Sequence, residues 1–139
     1  GARLGEGYTI NVPLPETTGD IAAEKAFREI LLPAAERFKP DLVLVSAGFD
    51  PHHNDMAMNL TYNGFKVLTR IVQDIADRHC DGRLVFVLEG GYNLTSLSRG
   101  VHAVLEVLAG GDAPEILECG VKEVMEAAEF HRTAFIDDD

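Results

Sequence analysis

Leu42-Val43-Leu44-Val45-Ser46-Ala47-Gly48-Phe49-Asp50 is the stretch on which the fold turns. Its first four residues are continuously apolar rather than alternating, the pattern of a parallel strand buried on both faces. A second such run, Leu84-Val85-Phe86-Val87-Leu88, leads straight into Glu89-Gly90-Gly91-Tyr92. Between the two, Phe65, Leu68, Val72, Ile75 and Ala76 form one helical stripe. Thr61 is placed to cap that helix and Asp81-Gly82 to end it. Strand, long helix, strand is the order of a parallel β-α-β unit.

Working outward, Tyr8-Thr9-Ile10-Asn11-Val12-Pro13-Leu14 alternates and reads as a further strand that Pro13 brings to an end. Asp20 is expected to cap a helix whose Ile21, Phe27, Ile30, Leu31, Ala34 and Phe38 face inward. Pro33 must kink that helix or begin a second segment, and Lys39-Pro40 closes it. Beyond the second loop, Thr95 or Ser96 is the expected cap of a helix with Leu97, Val101, Val104, Leu105 and Leu108 inward, ended by Gly110-Gly111. The box Asp112-x-x-Glu115 should open a last helix with Leu117, Val121, Val124 and Ala128 inward. The order β-α-β-α-β-α-α predicts the α/β class, a three-stranded parallel sheet flanked by helices. Ligands of such sheets bind outside the carboxyl ends of the strands, so the loops after Val45 and Leu88 are where a site belongs. A sheet this small leaves a strand edge uncovered, which predicts association with itself, as a homo-oligomer, or with a further portion of protein.

A chain of 139 residues, 46% of them hydrophobic, is one domain with enough apolar mass for a core. The formal charge of -11 weighs against direct nucleic-acid binding and weakly favours cationic substrates. Residues 1–110 read as the main α/β body. Residues 111–139, with 9 of the 23 acids and 2 of the 12 bases, read as an acidic C-terminal helix and tail whose charges are a solvated face. Apolar runs are far too short to span a membrane, and no apolar h-region follows Gly1-Ala2-Arg3-Leu4. Cys80 and Cys119 make no disulfide framework and fit reduced thiols in a cytoplasmic protein, or a nuclear one in a eukaryote.

The two post-strand loops hold the unusual residues. Asp50 follows an apolar strand, where a carboxylate needs a cation or hydrogen-bond donors; it reads either as a metal ligand or as a turn cap. His52 and His53 add imidazoles that are either ligands or part of a polar surface loop. Asp55, Met56 and Met58 complete a mixed rim. Gly90-Gly91 permits close backbone approach and positive φ, and Tyr92 offers a phenol at the strand's carboxyl edge that could donate to a developing oxyanion; a glycine turn with an ordinary packed aromatic is the plainer reading. The glycines match neither G-x-G-x-x-G nor a Walker loop. Ser46 and Ser96 lie in no G-x-S-x-G elbow.

Taken together, Leu44-Val45-Ser46-Ala47-Gly48-Phe49-Asp50 followed by His52 and Asp55, then Leu88-Glu89-Gly90-Gly91-Tyr92-Asn93-Leu94, with Gly7-Tyr8-x-x-Asn11-Val12-Pro13-Leu14 upstream, resembles the histone deacetylase superfamily, including acetylpolyamine amidohydrolases and acetoin-utilisation proteins. The resemblance covers residues 5 to about 108, and the Glu89-Gly90-Gly91-Tyr92 form is closer to class II-like and prokaryotic members. It implies the C-terminal part of an arginase/deacetylase fold and a zinc-dependent amide hydrolase acting on acetyl-lysine or acetylated amines. By position, Asp50 resembles a zinc ligand, Tyr92 the tyrosine that stabilises the tetrahedral oxyanion, and Gly90 and Gly91 the glycines that shape the acyl channel. The family's other two zinc ligands and its His-His general base belong to a preceding portion that this chain does not contain. His52 and His53 imitate those motifs by letter only and inherit no role. After Asp55 the relatives continue Pro-Leu-Gly, whereas this chain has Met56-Ala57-Met58-Asn59.

The leading expectation is therefore a C-terminal fragment of a zinc deacetylase, inactive and not retaining zinc by itself. The alternative is a truncated homologue that serves as a binding or structural module, with its acidic C-terminal helix as interface. A third, minor reading is a complete small metalloprotein that uses Asp50, His52 and His53.

Overall fold

The computed structural model describes residues 2–116 except Ala57. Helix α1 (Asp20–Ala26) runs through a π-helical turn (Phe27–Leu31) into α2 (Leu32–Phe38); strand β1 (Val43–Ala47), helix α3 (Tyr62–Cys80), strand β2 (Leu84–Leu88) and helix α4 (Leu94–Leu108) follow. Pro33 stands at the start of α2, the second of its two expected outcomes. The wider turn ahead of it accommodates a residue without an N–H in an otherwise helical run. Lys39, left-handed at φ 52°, ends α2, and Pro40 prevents resumption.

β1 and β2 pair in parallel, with Val43 opposite Leu84 and Ala47 opposite Leu88. α3 is the crossover between them. Its amphipathic stripe lies as the spacing requires, with Phe65, Val72, Ile75 and Ala76 buried. Thr61 caps it by accepting from the N–H groups of Asn63 and Gly64, and Asp81 and Gly82, both at positive φ, stop it. The core gathers at the carboxyl end of the sheet, where Phe49, Leu60, Phe65 and Val104 are buried together with Ala23. Phe49 and Phe65 meet edge to face with ring centroids 5.2 Å apart. Gly100 of α4 presses against the Phe49 ring, so the absence of a side chain there brings α4 onto the core.

Several expectations need correction. Among the described residues the sheet has two strands, not three. The segment 8–14 is irregular; Val12 and Leu14 point alternately inward to pack on Ala22 and Ala26 of α1, so alternation is used for packing and not for pairing. The sheet is not buried on both faces either. Val43, Val45 and Ala47 are partly covered, while Leu44 is 67% and Val87 51% exposed, leaving an open apolar face. Phe38 and Leu31 are likewise exposed instead of inward, and both line an apolar groove that runs along β1. Asp20 is the first residue of α1 and does not cap it; its carboxylate accepts from Thr61 N (2.7 Å) and Thr61 Oγ1 (2.6 Å), bonding to the cap of α3. The cap of α4 is Asn93, not Thr95 or Ser96, and Leu105 is 59% exposed on its outer side. Residues 112–116 are not helical, so no helix starts at the Asp112 box; Leu117, Val121, Val124, Ala128, Cys119 and the acidic tail lie outside the described residues. Among the described residues no helix is long and apolar enough to cross a membrane.

Candidate active site

Both post-strand loops leave the sheet at the same end, because β1 and β2 are parallel and in register through Ala47 and Leu88. The ladder continues past the strands: Glu89 N donates to Ala47 O (3.0 Å) and Phe49 N to Gly90 O (2.9 Å). This extension sets Asp50 beside Gly90. The Asp50 carboxylate lies directly against Gly90 and also close to Gly48, where an added Cβ would stand 2.7 Å from its Oδ1. Gly90 is not at positive φ; it is small because Asp50 occupies the space of a side chain. Gly91 is at φ 129°, and a Cβ there would meet Leu97 at 3.0 Å and Phe49 at 3.2 Å. The two glycines thus do different things: one makes room for a carboxylate, the other turns the chain tightly over the core.

Tyr92 follows with its side chain 75% exposed. Its position comes from its backbone. Asp55 Oδ2 accepts from Tyr92 N (2.8 Å) and Asn93 N (2.7 Å), and Asn93 Nδ2 donates to Asn54 O (3.1 Å). Asn93 Oδ1 in turn accepts from Thr95 N and Ser96 N, capping α4. These ties join the loop after β1 to the loop after β2. From sequence Asp55 stands only on a rim, and the one local signal for Asn93 is an Asn directly after Gly-Gly-Tyr and ahead of a helical stripe.

His52 is fully buried. Its ring lies between those of His53 and Tyr62, with centroids 4.1 Å and 4.4 Å away, and its Nδ1 accepts from Asn54 N (3.2 Å). Burial first, and the His53 imidazole second, push its pKa below the usual histidine value, with Asp55 and Asp20 pulling the other way. A neutral, stacked ring that orients Asn54 is a structural support for the loop, not the exposed polar residue the sequence allowed for. His53 is exposed, with Nδ1 3.2 Å from Leu60 O.

A metal requires several converging donors. Among the described residues no three His, Cys, Asp or Glu side chains are gathered to hold one. The Asp50 carboxylate, half-buried, suits a single ligand position, but these residues do not make a metal site by themselves. The arrangement offers a carboxylate and a phenol on adjacent strand ends, held together through backbone.

The Histone deacetylase domain model matches residues 1–108. "Histone deacetylase 14, chloroplastic" of Arabidopsis thaliana is 47% identical over 115 residues, 81% of this chain and 27% of that protein. The "Histone deacetylase-like amidohydrolase" of Pseudomonas aeruginosa is 42% identical over 112 residues, 79% of this chain and 30% of that protein. The crystal structure of the HDA15 HD domain superposes with a TM-score of 0.81 at 33% identity, covering 96% of this chain and 36% of that one. The chain therefore spans between a quarter and a third of the length of these curated relatives.

Proposed function

The chain belongs to the histone deacetylase domain family, and we propose that it is the C-terminal part of an amide hydrolase that removes acetyl groups from acetyl-lysine or other acetylated amines. Its fold is the α/β fold of deacetylase domains. The observation that carries the reading is the pairing of Asp50 and Tyr92 on loops that leave neighbouring parallel strands and are tied together at Phe49–Gly90 and Asp55–Tyr92.

In this reading Asp50 contributes one ligand to a zinc whose other ligands lie outside this chain, and that zinc, when bound, supplies polarisation of the acetamide carbonyl. The remaining work belongs to residues of the chain. The Tyr92 phenol donates a hydrogen bond to the oxygen on which negative charge develops, an interaction strongest in the transition state. Gly90 and Gly91 carry the chain past Asp50 and over the core, and in this reading their backbone borders the path of an extended acyl-amine chain. The main body 1–110 supplies these parts; among the described residues no group of three donors forms around Asp50, and the chain by itself is expected to be inactive.

The test is turnover of an acetyl-lysine peptide and of an acetylated polyamine by the complete protein. Tyr92→Phe should lower kcat by about 10² to 10³, the usual cost of removing one oxyanion donor, while zinc content stays constant. Turnover by the 139-residue chain alone, or an unaffected Tyr92→Phe variant, would overturn this reading.

A further inference from the structure

We propose that Asp55 is a positioning residue for Tyr92, fixing the phenol through the backbone and not through contact with substrate. The inference rests on the functional reading of Tyr92 above and concerns how that side chain is held. Three observations carry it. The Tyr92 side chain is largely exposed, so its own packing does not define where the hydroxyl sits. The residue before it is Gly91 at φ 129°, which has no side chain to fix the direction of the chain into Tyr92. What remains is the far side of the peptide, where one oxygen of Asp55 receives the N–H of both Tyr92 and Asn93 from a loop 37 and 38 residues away.

The clamp is anchored at both ends. Asp55 N donates to His52 O (2.8 Å) and Asn54 N to the buried His52 Nδ1 (3.2 Å), so the loop that presents the carboxylate is pinned to a ring stacked in the core. Asn93 is the cap of α4 and is also bonded to Asn54 O, so the receiving side is pinned to a helix. Two consecutive N–H groups just ahead of α4 converge on one oxygen of the Asp55 carboxylate. Removing it frees Gly91 and lets the phenol drift from the oxyanion, although no catalytic atom has been deleted. A displacement of 1 Å is enough to cost on the order of 10² in rate.

The experiment is a double-mutant cycle in the complete protein, with kcat, KM, zinc content and thermal midpoint measured for each variant. Asp55→Ala should lower kcat by about 10- to 100-fold, with zinc content unchanged and KM altered by much less than kcat. Asp55→Asn keeps an acceptor oxygen in place and should recover most of the loss. In a Tyr92→Phe background, Asp55→Ala should change kcat by less than about twofold, because the group it positions is gone. If Asp55→Ala does not fold, the same cycle is read with Asp55→Asn, whose smaller loss must also vanish in the Tyr92→Phe background. An Asp55 effect of equal size in both backgrounds, or none in either, would overturn the inference while a loss in Tyr92→Phe alone leaves the deacetylase reading standing. A silent Tyr92→Phe would overturn both.

Discussion

The carboxylate of Asp50 rests against Gly90, in the space that any side chain at residue 90 would fill. Gly90 is not at positive φ, so alanine is compatible with its backbone and only the carboxylate stands in the way. Gly90→Ala should therefore leave the fold nearly as stable while displacing Asp50. In the complete protein we expect zinc affinity to fall and kcat/KM to drop by about 10² or more, with a thermal midpoint close to that of the unsubstituted protein. Metal titration beside unfolding measurements checks it; a large stability loss with unchanged zinc affinity contradicts the arrangement.

A second carboxylate fills the space beside a glycine, but this one is held in place by two hydrogen bonds from another element, so displacing it costs stability. Asp20 reaches from α1 to Thr61, the cap of α3, and lies against Gly64 in the first turn of that helix. Helix propensity alone says that Gly64→Ala should stabilise by about 1 kcal/mol. The crowding of Asp20 opposes it, and overpacking of this kind costs about 1–3 kcal/mol, so the net effect should be destabilising. With Asp20→Ala already present, Gly64→Ala should become neutral or stabilising. Urea unfolding of the four variants reads this change of sign directly.

These two glycines also show where sequence reading reached and where it stopped. The strands, the crossover α3, its Thr61 cap and its Asp81-Gly82 stop were all legible, because periodicity and capping are local signals. Asp20 looked like a local cap because it stands before an apolar stripe, yet its partner is 41 residues away and left no trace in the neighbouring letters. Val12 and Leu14 alternate as strand residues do, but alternation reports one buried face and not a hydrogen-bonded neighbour. At the site, Asp50, Gly90, Gly91 and Tyr92 were singled out from their post-strand positions. The Asp55 clamp was not, since a carboxylate that accepts backbone N–H groups can be matched to them only once the fold has brought the loops together.

The continuous apolar run of β1 predicts burial on both faces, and here one face is open, with Leu44, Val85 and Val87 exposed side by side across the paired strands. Such a patch is a liability in an isolated chain. The 139-residue chain alone should therefore sediment as an oligomer, and Leu44→Lys with Val87→Lys should return it toward a monomer. In the complete protein the same substitutions should act in the opposite sense and destabilise by about 2–4 kcal/mol, as charges forced into a covered core do. Monomeric behaviour of the unsubstituted chain, or tolerance of both lysines in the complete protein, would show that nothing normally covers this face.

Asn93 provides a final test of the link between the loops, because it does two tasks that Asp can only half reproduce. As an N-cap, Asp is about as good as Asn, so Asn93→Asp should be nearly neutral if capping Thr95 and Ser96 were all that mattered. The substitution also deletes the Nδ2 donor to Asn54 O and sets a second carboxylate beside that of Asp55. Repulsion between the two should make Asn93→Asp distinctly destabilising at low ionic strength, with the loss shrinking as salt screens the pair. Asn93→Ala removes cap and tie together, and should cost about 1–2 kcal/mol with little dependence on salt. Thermal midpoints measured across a salt series separate the two variants; parallel curves would mean that the Asp55 carboxylate does not sense the charge at residue 93.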